Sequence, residues 1–229
     1  MATKRTTKSI PPKTLTDFIK AFEQYSSGSD FLKCFRGQLN SSWPNVAGIF
    51  RSEFKELLEN EKRAVRDLIS VHPSEFASDE TMFDKLVRMQ HCGLPTRLLD
   101  VSRNALVALY FATDPGPLGS LPSDGMVTAF AIPPEREKYF YSDSVSCIAN
   151  LANMTSEEKG EIYQLKELLI ELPEDEQITK FNADGVIKRL HQFIRSEKSY
   201  RGIYLTPPDT TGCGLIKSAN GTGPTCTAC

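Results

Sequence analysis

The sequence predicts an α+β protein: a small mixed sheet surrounded by helices, with an irregular C-terminal tail. Three observations predict it. Apolar residues recur at helical spacing in several segments of the 229-residue chain. Two short runs, one reaching Arg36-Gly37 and one over residues 126–132, have the length and flanking turn residues of strands. Residues 207–229 hold Pro, Gly, Thr, Ser and Cys with hardly any apolar pattern, and only Leu215-Ile216 offers an anchor.

The elements follow in order. Residues 1–13 are polar, with Lys4, Arg5, Lys8 and Lys13, and read as a flexible arm. Residues 14–25 place Leu15, Phe18, Ile19 and Phe22 on one helical face, ended by Gly28 and its serines. Residues 31–37 read as a strand closing on Gly37, and residues 39–49, with Trp43-Pro44, as a loop. A helix over 52–71 aligns Phe54, Leu57, Leu58, Val65, Leu68 and Ile69 and stops at Pro73. Another spans 79–91 and ends at Gly93 and Pro95. Residues 96–100 make a short strand, and Ser102 is a suitable N-cap for a buried, almost wholly apolar helix over 105–112. A Gly/Pro/Ser-rich loop over 115–125 precedes the strand at 126–132, which Pro133-Pro134 closes. Two or three helices follow over 143–153, 155–171 and 183–198. Thr155 and Glu158 stand at capping-box spacing.

Composition narrows the function. Forty per cent hydrophobic residues suffice for one sizeable core, alone or with a small subdomain. A net charge of −2 argues against a general nucleic-acid coat or a polybasic membrane binder. No apolar run reaches the roughly 18 residues that span a bilayer, and the basic N-terminus has no hydrophobic stretch behind it. A cytoplasmic protein is therefore expected. Cys34, Cys92 and Cys147 sit singly in hydrophobic segments as small apolar residues, while Cys213, Cys226 and Cys229 crowd the tail; all six read as reduced thiols. Cys226 and Cys229 have the spacing of half a zinc site without a second half, so no metal is expected.

Several residues could carry chemistry. Arg36, in a turn allowed by Gly37, presents a planar fork of donors suited to phosphate or carboxylate. Arg51 and Arg97 offer the same from other loops; together the three form an anion pocket, or each pairs internally, with Asp100 as the candidate partner of Arg97. Gln90 and His91 end a helix before a Gly-Leu-Pro turn. His91 reads either as a general acid or base or as a cap on the last carbonyls of its own helix. His72 and His191 read as structural or exposed. Asp79, Glu80 and Asp84 cluster on an ordinary helix face, which leaves a metal-dependent nuclease the weakest reading. Leu98, Leu99, Leu106, Leu109 and Phe111 read as core residues.

Three segments resemble the FRG (Phe-Arg-Gly) domain family. The first is Phe35-Arg36-Gly37-Gln38 with Trp43-Pro44 and Ile49-Phe50-Arg51. The second runs Met89-Gln90-His91-Cys92-Gly93-Leu94-Pro95-Thr96-Arg97-Leu98-Leu99-Asp100 and continues over residues 104–112, with Cys92 where the family usually has an aromatic residue. The third is residues 145–152 with residues 193–200. The resemblance implies an FRG domain over residues 14–206. Similar proteins continue into a further strand and a Gln, Gly and Phe motif, from which residues 207–229 depart.

A second resemblance, over two short motifs, is to Arg-Ser-Glu ADP-ribosyltransferases. It implies NAD as substrate, held by Arg36 with Gln38, Arg51, Gln90, Thr96 and Arg97, with Thr96 and Ser102 flanking the strand of the hydroxyl-bearing motif. His91 would orient the ribose or the acceptor. Glu197 is the nearest acidic residue for the third motif, although its segment reads as helix. The implied function is a toxin or phage-defence effector in a bacterial cytoplasm. Its partners would be a protein or nucleic-acid acceptor and an antitoxin or regulator. The alternative is a module that binds a nucleotide, a phosphate group or nucleic acid without turnover.

Overall fold

The computed structural model describes residues 12–26, 31–114, 123–198, 203–204 and 217–218. In chain order its elements are α1 (Leu15–Ser26), β1 (Leu32–Gln38), α2 (Lys55–Glu59), α3 (Glu61–Val71), α4 (Met82–His91), α5 (Ala105–Thr113), β2 (Met126–Ile132), α6 (Asp143–Asn150), α7 (Ser156–Leu169), α8 (Glu174–Ala183), α9 (Gly185–Glu197), β3 (Ile203–Tyr204) and β4 (Lys217–Ser218). The architecture is α+β. The expectations for most of the N-terminal arm, for Gly28 and for the tail thiols lie outside the described residues. So do those for most of the tail, of which Lys217–Ser218 pair antiparallel with Ile203–Tyr204. Two compact units divide the chain: residues 1–41 with 101–134, and residues 42–100 with 135–229. Among the described residues no helix is long and apolar enough to cross a membrane.

In the first unit β1 and β2 pair antiparallel over their full length, from Leu32 opposite Ile132 to Gln38 opposite Met126. The expected mixed sheet is thus an antiparallel pair. Arg36 and Gly37 lie within β1, not in a turn. The reason for glycine is proximity: a Cβ on Gly37 would overlap the carbonyl oxygen of Ala108 and stand 2.6 Å from its carbon. Gly125 meets α5 the same way, 2.8 Å from the carbonyl carbon of Ala112. The strands rest almost on the helix backbone. A small core of Phe35, Ala105 and Ala108 is packed by Phe18, Phe22 and Val127, with the Phe22 ring edge-on to Phe35 at 5.1 Å.

This packing overturns one expectation about α5. Only its alanines 105, 108 and 112 are buried; Leu106, Val107, Tyr110 and Phe111 are exposed. A helix that approaches a sheet this closely meets it through small side chains, so its large ones point away. Ser102 is not its N-cap either. The Ser102 backbone donates to Phe35 at 2.8 Å and accepts from it at 2.7 Å, and this pairing holds Ser102 outside the helix. The helix starts later, with Asn104 Oδ1 accepting from Leu106 N at 2.9 Å.

In the second unit the expected helix over 52–71 is broken. Asn60 turns both its backbone and side-chain N–H back to the carbonyl of Glu56, at 3.1 and 3.0 Å, ending α2 and restarting the chain as α3. Residues 96–100 form no strand, and the expected helix over 183–198 is α9 alone, from Gly185 to Glu197, because Ala183 closes α8 and Asp184 caps α9. Cys92 is exposed. One core gathers Cys147, Met154, Ile162, Leu169 and Phe181 around Ile187, Leu190 and Ile194 of α9; another joins Val65, Leu86, Met89 and Ala152.

Candidate functional site

The second unit holds most of the residues singled out from sequence. α4 begins with a reciprocal box: Thr81 N donates to Asp84 Oδ2 at 3.0 Å and Asp84 N to Thr81 Oγ1 at 3.2 Å. The next N–H, that of Met82, is taken by Glu197 Oε1 at 2.7 Å, and the same oxygen accepts from Asn150 Nδ2 at 2.9 Å. Glu197 therefore ties the end of α9 to the start of α4 and to α6. Its other oxygen is buried without a hydrogen-bond partner among the described residues. Lys198 next to it donates to the Tyr141 carbonyl and lies 3.3 Å from Asp143 Oδ1.

At its other end α4 delivers Gln90 and His91. The last carbonyls are satisfied by the backbone of Cys92, Gly93 and Leu94, with Gly93 at φ +91°, a turn that glycine adopts without strain. His91 is exposed and caps nothing, which removes the capping reading. Buried Thr96 donates its hydroxyl to Gln90 Oε1 and accepts from Leu98 N at 3.2 Å, while its carbonyl accepts from Ile49 N at 3.1 Å. Gln90 and Thr96 are thus brought together, and both are joined to the Gly48–Phe50 turn.

Arg97 pairs with Glu61, not with Asp100. Its Nε donates to Glu61 Oε1 at 2.7 Å and its Nη2 donates to Oε2, a two-pronged contact. Lys159 Nζ reaches the same carboxylate at 2.5 Å, and the Phe50 ring lies 5.6 Å from the guanidinium. The Arg97 and Glu61 side chains are 8% and 3% exposed. Burial pushes the Glu61 carboxyl up, but Arg97 and Lys159 together hold it below its ordinary range. Burial pushes Lys159 down, and Arg97 beside it adds to that against the pull of the shared carboxylate. Arg51 follows Phe50; its Nε is buried and has no acceptor among the described residues.

The first unit holds Arg36 and Gln38. Arg36 stands opposite Thr128 in the ladder and next to Phe35, which is paired with Ser102. Gln38 is buried and donates from Nε2 to the Asn40 carbonyl at 3.2 Å. Sequence reasoning missed Glu61 and Lys159. They stand 98 positions apart, and Glu61 opens a helix, where glutamate is ordinarily solvated.

The first unit is a helix laid directly on a two-stranded antiparallel ladder, with an Arg-Gly pair on one strand. The family model of the FRG domain matches residues 32–116, which include β1, α5 and the segment joining them, so this stretch of the chain carries an FRG domain. No curated protein and no solved structure matches it.

Proposed function

We propose that this FRG protein binds NAD at the Arg36 strand and transfers ADP-ribose to an intracellular acceptor, as a toxin or defence effector. The backbone exchange between Phe35 and Ser102 carries the reading. It sets a serine beside the strand position adjoining Arg36, at the entrance to α5, which is the order of the first two Arg-Ser-Glu motifs. The guanidinium would hold the diphosphate. The bond between nicotinamide and ribose then breaks, nicotinamide leaves, and a nucleophile of the acceptor attacks the oxocarbenium-like carbon while giving up its proton. The module is taken to run over residues 14–206.

A second reading, nucleotide binding without turnover, is favoured by Glu197. The carboxylate that chemistry would need is already hydrogen-bonded to Met82 and Asn150. Nicotinamide release and NAD binding, measured on wild type, Arg36→Ala and Glu197→Gln, separate the two. Release that is lost in Arg36→Ala supports the transferase. Saturable binding without release, lost in the same variant, supports the module. Absence of NAD binding by the wild type overturns the transferase, and absence of AMP binding as well overturns the module.

A further inference from the structure

We propose that Arg51 is the anchor of a second anion site, one that takes the phosphomonoester group of a small metabolite at the 48–51 turn. The inference rests on residues of the second unit, whereas the NAD reading rests on Arg36 of the first.

The argument begins with an unmet demand. A guanidinium is charged at every physiological pH, and a charge removed from water is normally paired. Arg51 is half-buried and its Nε–H is sealed from solvent, yet no oxygen among the described residues accepts from it. The nearest acid in sequence, Glu53, is exposed and takes the Ser52 hydroxyl at 3.4 Å instead. The Nε edge of an arginine is one side of the fork that grips two oxygens of a carboxylate or phosphate. A ligand supplying those oxygens would complete it.

The nearby buried acid is already engaged. Phe50, adjoining Arg51, lies over Arg97, which shares one carboxylate, Glu61, with Lys159. Glu61 is thus already engaged by two cations, and Glu158 also acts on Lys159. The turn itself is fixed: Ile49 N donates to Thr96 O at 3.1 Å, Arg51 N to Gly48 O at 3.1 Å, and a Cβ on Gly48 would stand 3.2 Å from Pro95 Cβ. A preset turn loses little entropy when it binds. Phe50 is half exposed and offers a ring surface beside the anion.

The test is calorimetric titration of the full chain with inorganic phosphate, glucose 6-phosphate, AMP and acetate. Phosphate and both monoesters should bind, and acetate at least tenfold more weakly. Arg51→Ala should weaken phosphate at least tenfold, and Arg51→Lys, which keeps the charge without the fork, by an intermediate factor. Both variants should melt like the wild type in phosphate-free buffer, which separates lost binding from lost folding. Arg63→Ala, on an exposed face of α3, should bind phosphate unchanged. AMP binding more tightly than glucose 6-phosphate, with the gain lost in Phe50→Ala, would name a nucleotide as the source; equal affinity would name a sugar phosphate. No phosphate binding by the wild type, or undiminished binding by folded Arg51→Ala, overturns the proposal.

Discussion

In the first unit two strands meet α5 through Gly37 and Gly125 on one side and three alanines on the other. In the second unit α9 meets its neighbours through Ile187, Leu190 and Ile194, all without solvent exposure, and a buried carboxylate is shared by two cations. One unit is held by close backbone approach and has no room for added atoms. The other is held by side-chain volume and charge pairing and cannot lose them. The two should therefore fail under opposite kinds of substitution.

The largest effect is expected from Glu61→Ala, which leaves Arg97 and Lys159 buried without their counter-charge and should cost about 4 kcal/mol. Urea unfolding followed by Trp43 fluorescence reports it, since that tryptophan lies in the second unit. Gly37→Val places a branched side chain on the Ala108 carbonyl and should cost about 3 kcal/mol or more. Far-UV circular dichroism should show it, and a variant as stable as wild type would refute the close-approach account. Leu190→Ala should cost about 3 kcal/mol through the cavity it leaves in the second unit. Its counterpart on α5, Leu106→Ala, should cost less than about 0.5 kcal/mol, because Leu106 is 50% exposed. Comparable costs for these two leucines would erase the contrast.

Acid adds a gentler probe of the second unit. Burial, aided by the charge of Arg195, holds the His191 imidazole below its ordinary pKa of 6.5. The unfolded chain takes up a proton near that value and the folded chain resists it. Stability should thus decline as pH falls from about 6.5 to the folded pKa, by at most about 1.4 kcal/mol per pH unit. His191→Leu should flatten melting temperature against pH across that window. The Glu61 carboxyl, depressed in the fold, gives its own loss only at lower pH, below about 4.5.

What could be read from sequence was what neighbouring residues decide. The strand at 126–132 is bounded by Gly125 and Pro133, and β2 has the bounds those turn residues predict. The box of Thr155 and Glu158 is a local hydrogen-bond pattern, and it forms as spelled. α8 was passed over because its first turn is acidic throughout and only Phe181 is buried. The expectation for α5 failed because apolar composition says nothing about which side chains fit against a nearby sheet. The partner of Arg97 was missed for a related reason: Asp100 is close in sequence, whereas Glu61 is brought in by the break at Asn60. Arg36, Gln90, Thr96 and Arg97 were all visible as polar residues of a motif. Their bonding partners depend on the tertiary fold.

The contact between Glu197 and Met82 spans 115 positions. While the chain is being made, α4 can close its own capping box as soon as Asp84 has emerged, but the neighbouring N–H must wait for almost the whole of the second unit. The helix that carries Gln90 and His91 would then leave the ribosome with a provisional start, completed only when α9 arrives. Nascent chains released before residue 197 should carry Gln90 and His91 on a helix that still frays at its first turn.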